Sequence, residues 1–279
     1  MVNRTSNLAV SLVYAVAIGS LLVHSQATVQ LTDQLAELVN RLEDSAPSNR
    51  NEAFYHLLEI GLGVDPHGHT YQIPSALTNL FKQNPSKAEN IKIALIRLLE
   101  NENAFVQGQR KEYDETGKTL DEVYVDYYGD VIASVAALKD ERALNALLGA
   151  INTGNMATRA LAGLGTSALD QILLRLSDPA PVARMSAARV LVQMLEPGNV
   201  KRVGDAVSKK RIKTALTKTT GDIDPYVRIT GVEGLAALGD RTVVPLLQKV
   251  AEYDSFEGFG EGRRFPVREA AKKALEKLR

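Results

Sequence analysis

Apolar residues recur at every third or fourth position through most of the chain after residue 27, which is the spacing of one face of an α-helix. In "TVQLTDQLAELVNRLED" this spacing places Leu31, Leu35, Leu38 and Leu42 on one face. Alternating apolar and polar runs bounded by hairpin residues, which would indicate β-strands, are scarce. The pattern therefore predicts an all-α fold.

From about residue 126 to the end, the helical pattern repeats. Each unit begins with an Ala- and Gly-rich first helix, followed by a short turn and an apolar second helix. Five such units start with first helices such as "YGDVIASVAAL", "RMSAARVLVQM" and "REAAKKALEKL". Because one helix pair cannot bury its own apolar face, the pairs are expected to stack into a solenoid over residues 126–279. Residues 28–125 are helical too, either as diverged repeats or as a separate helical cap.

Residues that begin and end helices stand at matching places in these units. Asp at the start of a second helix caps its free amide groups, Gly ends a first helix where a left-handed backbone is needed, and Pro opens a first helix without loss of a hydrogen bond. These residues are Asp140, Asp240, Gly165, Gly239, Pro181, Pro225 and Pro266.

The unit "DPYVRITGVEGLAALGDRTVVPLLQKV", residues 224–250, resembles the HEAT-like repeat of phycobilisome bilin lyases. The resemblance lies in its D-P-x-V-R opening and its A-x-x-L-G-D turn. It covers roughly residues 126–279 and is weakest in the units at Tyr128 and Gly154, which lack the Arg. The resemblance implies a right-handed α-α superhelix of the armadillo type and, commonly, a protein-binding role, but no particular chemistry.

The first 27 residues have a different character from the rest. Arg4 is the only charged residue before the uncharged run 8–23, and the small residues Ser25 and Ala27 suit cleavage by a signal peptidase. The segment predicts a signal peptide or an uncleaved N-terminal anchor, with a buried helix as a third possibility. Under the first two interpretations the remaining chain lies outside the cytoplasm, as a periplasmic, secreted or membrane-anchored protein.

The composition of the chain limits the partners and the kinds of site that it can have. Lys plus Arg equals Asp plus Glu at 33 each, so no overall charge attracts nucleic acid or a membrane. The chain has no Cys, and its 4 His residues all precede residue 70. His67 and His69 lie in one loop, but a metal site needs a third protein ligand, so we expect a solvated loop. The sequence predicts no catalytic, cofactor-binding or metal-binding residue and no nucleic-acid partner.

Three arginines share one repeat position at the start of first helices: Arg184, Arg228 and Arg268. We expect them to pair with Asp178, Asp224 or backbone carbonyls of the adjoining turns and so to hold successive repeats in register. A row of anion-binding residues is the alternative.

A basic segment, "VKRVGDAVSKKRIKTALTK", offers a candidate anion-binding set: Lys201, Arg202, Lys209, Lys210, Arg211 and Lys213. It has no interleaved aromatic residues, which argues against single-stranded nucleic acid. A solvated helix face and a patch that binds anionic lipid or cell-wall polymer are both open.

Long irregular segments interrupt the repeats, and two of them, residues 101–119 and 253–265, are predicted to be loops that join a second helix to the next first helix. In a solenoid all such loops emerge on one edge, here called the second-to-first edge. Aromatic and Arg residues on loops over a rigid scaffold suit contact with a partner. The candidate partner-binding residues are Phe105, Tyr113, Tyr253, Phe256, Phe259, Arg263, Arg264 and Phe265. A role in capping the ends of the array is equally open.

The favoured function is a non-catalytic scaffold that binds an unidentified protein outside the cytoplasm. The alternatives are a module that binds an anionic surface through residues 201–218 and a lyase-like accessory protein or chaperone.

Overall fold

The computed structural model describes residues 30–67, 70–116, 122–199, 203–258 and 264–279. In this part of the chain the regular structure is helical and no β-strand occurs, so the predicted all-α class is confirmed. No helix in these ranges is both long and apolar enough to cross a membrane. The predicted N-terminal signal or anchor, residues 1–27, lies outside the described residues.

The chain divides into two compact units, Met1–Ala94 and Leu95–Arg279. The described helices are α1 (30–41), α2 (Pro47–Leu62), α3 (Ile73–Gln83), α4 (Ala88–Thr116), α5 (Glu122–Leu138), α6 (Leu144–Gly149), α7 (Asn155–Gly163), α8 (Thr166–Arg175), α9 (Pro181–Met194), α10 (Ala206–Thr219), α11 (Pro225–Leu238), α12 (Val244–Tyr253) and α13 (Pro266–Lys277).

The first compact unit is built around α2, which packs against α3. Its core contains the apolar face that the leucine spacing predicts, with Leu35, Leu38 and Leu42 buried. Gly61 allows α2 to approach α3 closely, since a Cβ at this position would lie 2.2 Å from the backbone oxygen of Ala76. The contact therefore requires glycine.

The second compact unit is a stack of helix pairs. The first helices α5, α7, α9, α11 and α13 pack in that order, each against the next. The second helices α6, α8, α10 and α12 each pack against the first helix that follows them. This alternation is the predicted α-solenoid, and the core runs continuously between the layers.

Most residues at the helix ends act as the sequence predicts. Gly165 is the exception, since α7 ends before it and Gly165, with φ 65° and ψ −132°, is the N-cap of α8. The carboxylates of Asp140 and Asp240 accept hydrogen bonds from the amides of Arg142 and Thr242 at the start of the short 3₁₀ turns before α6 and α12. Gly239 ends α11 in the left-handed conformation, with φ 70°. Pro181, Pro225 and Pro266 open α9, α11 and α13.

Residues 101–116 correct the sequence prediction, since they continue α4 as a helix instead of forming a loop. The segment contains no Pro and is rich in helix-favouring Glu, Gln, Lys and Arg, so the single interior Gly108, which costs about 1 kcal/mol, is tolerated. Hydrogen bonds that Tyr127 and Tyr128 of α5 donate to Glu102 and Asn103 hold the extension in place.

Candidate functional site

Arg184 in α9 joins two successive turns of the solenoid. Its Nε and Nη2 donate to both carboxylate oxygens of Asp222, at 2.9 and 2.8 Å. Its Nη1 donates to the backbone carbonyls of Asp178 and Pro179, both at 3.0 Å. One side chain therefore ties the turn before α9 to the turn before α11.

Arg228 in α11 repeats this arrangement one unit further on. It donates to the carboxylate of Asp254 at 2.7 and 3.0 Å, and to the backbone carbonyls of Asp222 and Ile223 at 3.0 and 3.1 Å. Arg268 then donates to the backbone carbonyl of Asp254 at 2.6 Å. The turns before α9, α11 and α13 are thus linked in order, and all three lie on the second-to-first edge.

The carboxylate partners differ from those expected. Asp178 supplies only its backbone carbonyl to Arg184, and Asp224 caps α11 by accepting from the amides of Tyr226 and Val227 at 2.9 and 3.1 Å. The carboxylate of each tie comes instead from the next unit, because stacking places that turn beside the arginine.

Burial makes these ties electrostatically significant. The side chains of Arg184 and Asp222 are 11 and 15% exposed. Burial raises the pKa of the Asp222 carboxyl, but the hydrogen bonds from Arg184 and from the Asp224 amide outweigh it, so the pKa lies below its usual value. The hydrogen bond to Asp222, with the attraction of nearby carboxylates, raises the pKa of Arg184. Both groups are held in their charged forms.

A fourth arginine with the same local geometry lies in the first compact unit. Arg50, near the start of α2, is 5% exposed and donates to the backbone carbonyls of Asp44 and Ser45 at 2.8 and 3.0 Å. Its segment "DSAPSNR" shares the pattern D-x-x-P-x-x-R with "DPAPVAR" and "DIDPYVR". The pattern is visible in the sequence alone, where it was missed, and it favours diverged repeats over a separate cap for residues 28–125.

The second-to-first edge also carries exposed apolar side chains. Ile223 is 89% exposed, Tyr253 is 65% exposed and Tyr226 is 54% exposed. The rings of Tyr226 and Phe256 contact each other edge to face, with centroids 6.3 Å apart. The Arg228 to Asp254 tie joins the two turns that carry these side chains, and we call the set Ile223, Tyr226, Tyr253 and Phe256 the edge patch. Of its members, the sequence predicted Tyr253 and Phe256 and missed Ile223 and Tyr226.

Of the other predicted partner-binding residues, three have side chains that the structure describes and three do not. Arg264 is exposed, and Phe265 is half-buried with the guanidinium of Arg268 4.1 Å from its ring centroid. Phe105 is half-buried on α4, where its ring lies 4.8 Å from that of Tyr124. Phe259, Arg263 and the side chain of Tyr113 lie outside the described residues.

A buried polar cluster holds the α4 segment that carries Phe105. Glu102, which is 0% exposed, accepts hydrogen bonds from the hydroxyls of Tyr124 and Tyr127. The Tyr128 hydroxyl donates to the side-chain oxygen of Asn103 at 2.5 Å. Burial raises the pKa of Tyr128 to about 12, so its hydroxyl stays protonated as a donor.

The basic segment is partly used within the fold. Arg211 pairs with Asp170 of α8 at 2.6 Å, and Lys213 pairs with Asp240 at 2.5 Å. Lys209 is half-buried and Lys210 is exposed, both on α10, while Lys201 and Arg202 lie outside the described residues. The first ion pair connects α10 to α8, and the second connects α10 to the turn that precedes α12. Both favour a structural role over an anion-binding patch.

His67 lies in the loop after α2. Its Nδ1 lies 2.5 Å from the Asp65 carboxylate and its ring stacks on Tyr55, with centroids 3.8 Å apart. The described ranges contain no cluster of three or more His, Cys, Asp or Glu residues that could hold a metal ion. His69 lies outside them.

No protein-family model matches the chain, and no curated protein matches it. Among solved structures, a designed armadillo repeat protein in complex with the peptide (KR)4 is similar at 15% identity and a TM-score of 0.43, over 88% of this chain and 99% of that chain. A second designed armadillo repeat protein has 15% identity and a TM-score of 0.37, over 88% of this chain and 100% of its own. An engineered protein has 18% identity and a TM-score of 0.39, over 88% and 96%. Because these TM-scores are low, the evidence for a solenoid is the helix stacking and the repeated Arg to Asp ties of this chain itself.

Proposed function

We propose that the chain is a non-catalytic scaffold that binds another protein through the edge patch. The observation that carries this proposal is the exposure of Ile223, Tyr226 and Tyr253 at two turns of the same edge that the Arg228 to Asp254 tie joins. Exposed apolar groups gain about 25 cal/mol per Å² when a partner covers them, and contiguous apolar patches mark interaction sites.

The Arg to Asp ties support this role by fixing the patch before a partner arrives. Each tie joins two turns through two hydrogen bonds to one carboxylate, and the side chains of Arg228 and Asp254 are only 13 and 9% exposed. A surface held in this way loses little conformational entropy on binding. Aromatic side chains on such a surface suit the central anchors of an interface.

The proposed location is outside the cytoplasm, supported by the uncharged run 8–23 and the small residues Ser25 and Ala27. The resemblance of residues 224–250 to repeats of phycobilisome bilin lyases supports membership of that repeat type, without their chemistry.

The test is co-purification from native cells with a tagged full-length protein. The variant Ile223→Asp places a charge in the edge patch, whereas Val207→Asp places one at the opposite end of α10, about 20 Å away at 1.5 Å per residue. Val207 is 68% exposed, so both variants are expected to fold. A partner lost with Ile223→Asp and retained with Val207→Asp supports the proposal. Retention with both would overturn it.

A further inference from the structure

A groove of about 530 Å³ lies along α7 of the solenoid, from Asn155 and Met156 at the start of the helix to Gly163 at its end. It is lined by residues of three successive connections, with Lys139 after α5, Leu164 after α7 and Asn199 after α9. Its volume falls within the usual range of ligand pockets. The groove is separate from the edge patch, so its role does not depend on the function proposed above.

The floor of the groove is apolar and its rim is basic. Ala136, Leu147 and Ala160 contribute to the floor, while Lys139 and Arg159 are exposed at the rim. Among the described residues that line it, none carries a carboxylate. Neither Lys139 nor Arg159 makes an ion pair with any residue the structure describes, whereas Arg184, Arg211, Lys213 and Arg228 all do.

The geometry points to an acidic peptide segment of a partner as the ligand of this groove. We propose that a carboxylate of the peptide pairs with Lys139 and Arg159 while a neighbouring apolar side chain covers the floor. Both charges are complementary to an anion, and the groove is concave. A flat anionic membrane is disfavoured, because lipid-binding surfaces gather four to eight basic residues and the described residues of this rim include two.

The backbone conformation of Lys139 allows its charge to be removed without destabilising the fold. Its φ is 52°, and it stands where Gly239 of a later unit has φ 70°. Glycine adopts this conformation without steric cost, so Lys139→Gly removes the charge without straining the fold. A loss of binding in this variant would not be explained by unfolding.

The experiment uses the full chain labelled with ¹³C at its methionine methyl groups. Met156 lines the groove and is 38% exposed, whereas Met194 is 0% exposed in the core. The probe is a ten-residue peptide of Glu, Ser and two Leu, with a matched peptide in which Lys replaces each Glu. We expect the acidic peptide to shift the Met156 signal and leave that of Met194 unchanged.

The double variant Lys139→Gly/Arg159→Ala should raise the Kd of the acidic peptide at least tenfold. The control Lys210→Ala, which removes an exposed cation of α10, should change it less than twofold. The inference is overturned if the acidic peptide leaves Met156 unshifted at millimolar concentration, if the Lys peptide binds as well, or if the control loses as much affinity. Phosphatidylglycerol vesicles that shift Met156 when the peptide does not would assign the groove to lipid and also overturn it.

Discussion

Replacing Arg184 with alanine tests whether the Arg to Asp ties hold the solenoid together. The substitution removes four hydrogen bonds, two of them to the Asp222 carboxylate and two to backbone carbonyls of the preceding turn. The carboxylate then stays in a site where its side chain is 15% exposed, without its cation.

The expected cost follows from burial. Breaking a buried ion pair by removing one partner costs about 3 to 5 kcal/mol, because the other charge is left uncompensated. Since both side chains keep a little solvent exposure, we expect Arg184→Ala to lower the free energy of unfolding by about 3 kcal/mol. The matched control is Arg211→Ala. Arg211 also bridges two units, but it and Asp170 are 46 and 78% exposed, so a cost of about 0 to 1 kcal/mol is expected.

The assay is urea unfolding of the full chain followed by far-UV circular dichroism, at pH 7 and constant salt. The double variant Arg184→Ala/Asp222→Asn should lose less than the sum of its two single variants, since contacting partners couple by about 0.5 to 3 kcal/mol. Equal losses for Arg184→Ala and Arg211→Ala, or additive losses in the double variant, would refute the account of the ties.

Three further predictions concern other positions. Gly231→Ala should lower the free energy of unfolding by about 1 to 2 kcal/mol, because the new Cβ would lie 3.1 Å from the carbonyl oxygen of Leu216 in α10. Gly108→Ala, with open space around it, should raise the free energy of unfolding by about 1 kcal/mol, and urea unfolding measures both. Hydrogen bonds from Lys213 of α10 and from Thr242 lower the pKa of Asp240 to about 2, against an ordinary 3.8. This carboxylate therefore stabilises the fold above about pH 4. That contribution should fade between about pH 4 and 2 in the native protein and be absent at every pH in Asp240→Asn, which a comparison of unfolding at pH 5 and pH 2.5 will show. Tyr128→Phe should cost about 1 to 2 kcal/mol by leaving a buried oxygen of α4 without its donor, and an unchanged unfolding midpoint would contradict the buried cluster.

Much of the fold could be predicted because local chemistry and stacking agree. The 3.6-residue spacing predicts the helices. Pro225, Gly239 and Asp240 mark helix ends through local backbone chemistry, which does not depend on tertiary contacts. The length of α4 could not be predicted in this way. Its polar second half is fixed by a buried contact of Glu102 with α5, and a propensity pattern does not contain that contact.

The candidate site was less predictable for a similar reason. The repeat position of Arg184 is visible in the sequence, but its carboxylate partner lies 38 residues away and becomes a neighbour only through stacking. Ile223 and Val227 are both aliphatic and four residues apart, yet one is 89% exposed and the other 1%. Their exposures differ because Ile223 lies in the turn at the outer edge, whereas Val227 lies in α11 and is buried. The groove at Lys139 is lined by residues of three separate connections, and no local sequence pattern predicts that they come together.

The most direct test of the central claim is site-specific photo-crosslinking in native cells. A photo-reactive amino acid at position 223, in the edge patch, should give a covalent adduct with one partner protein, and the same amino acid at position 207, at the other end of α10, should not. Adducts of equal yield from both positions, or adducts from position 207 alone, would contradict the assignment of this edge as the protein-binding surface.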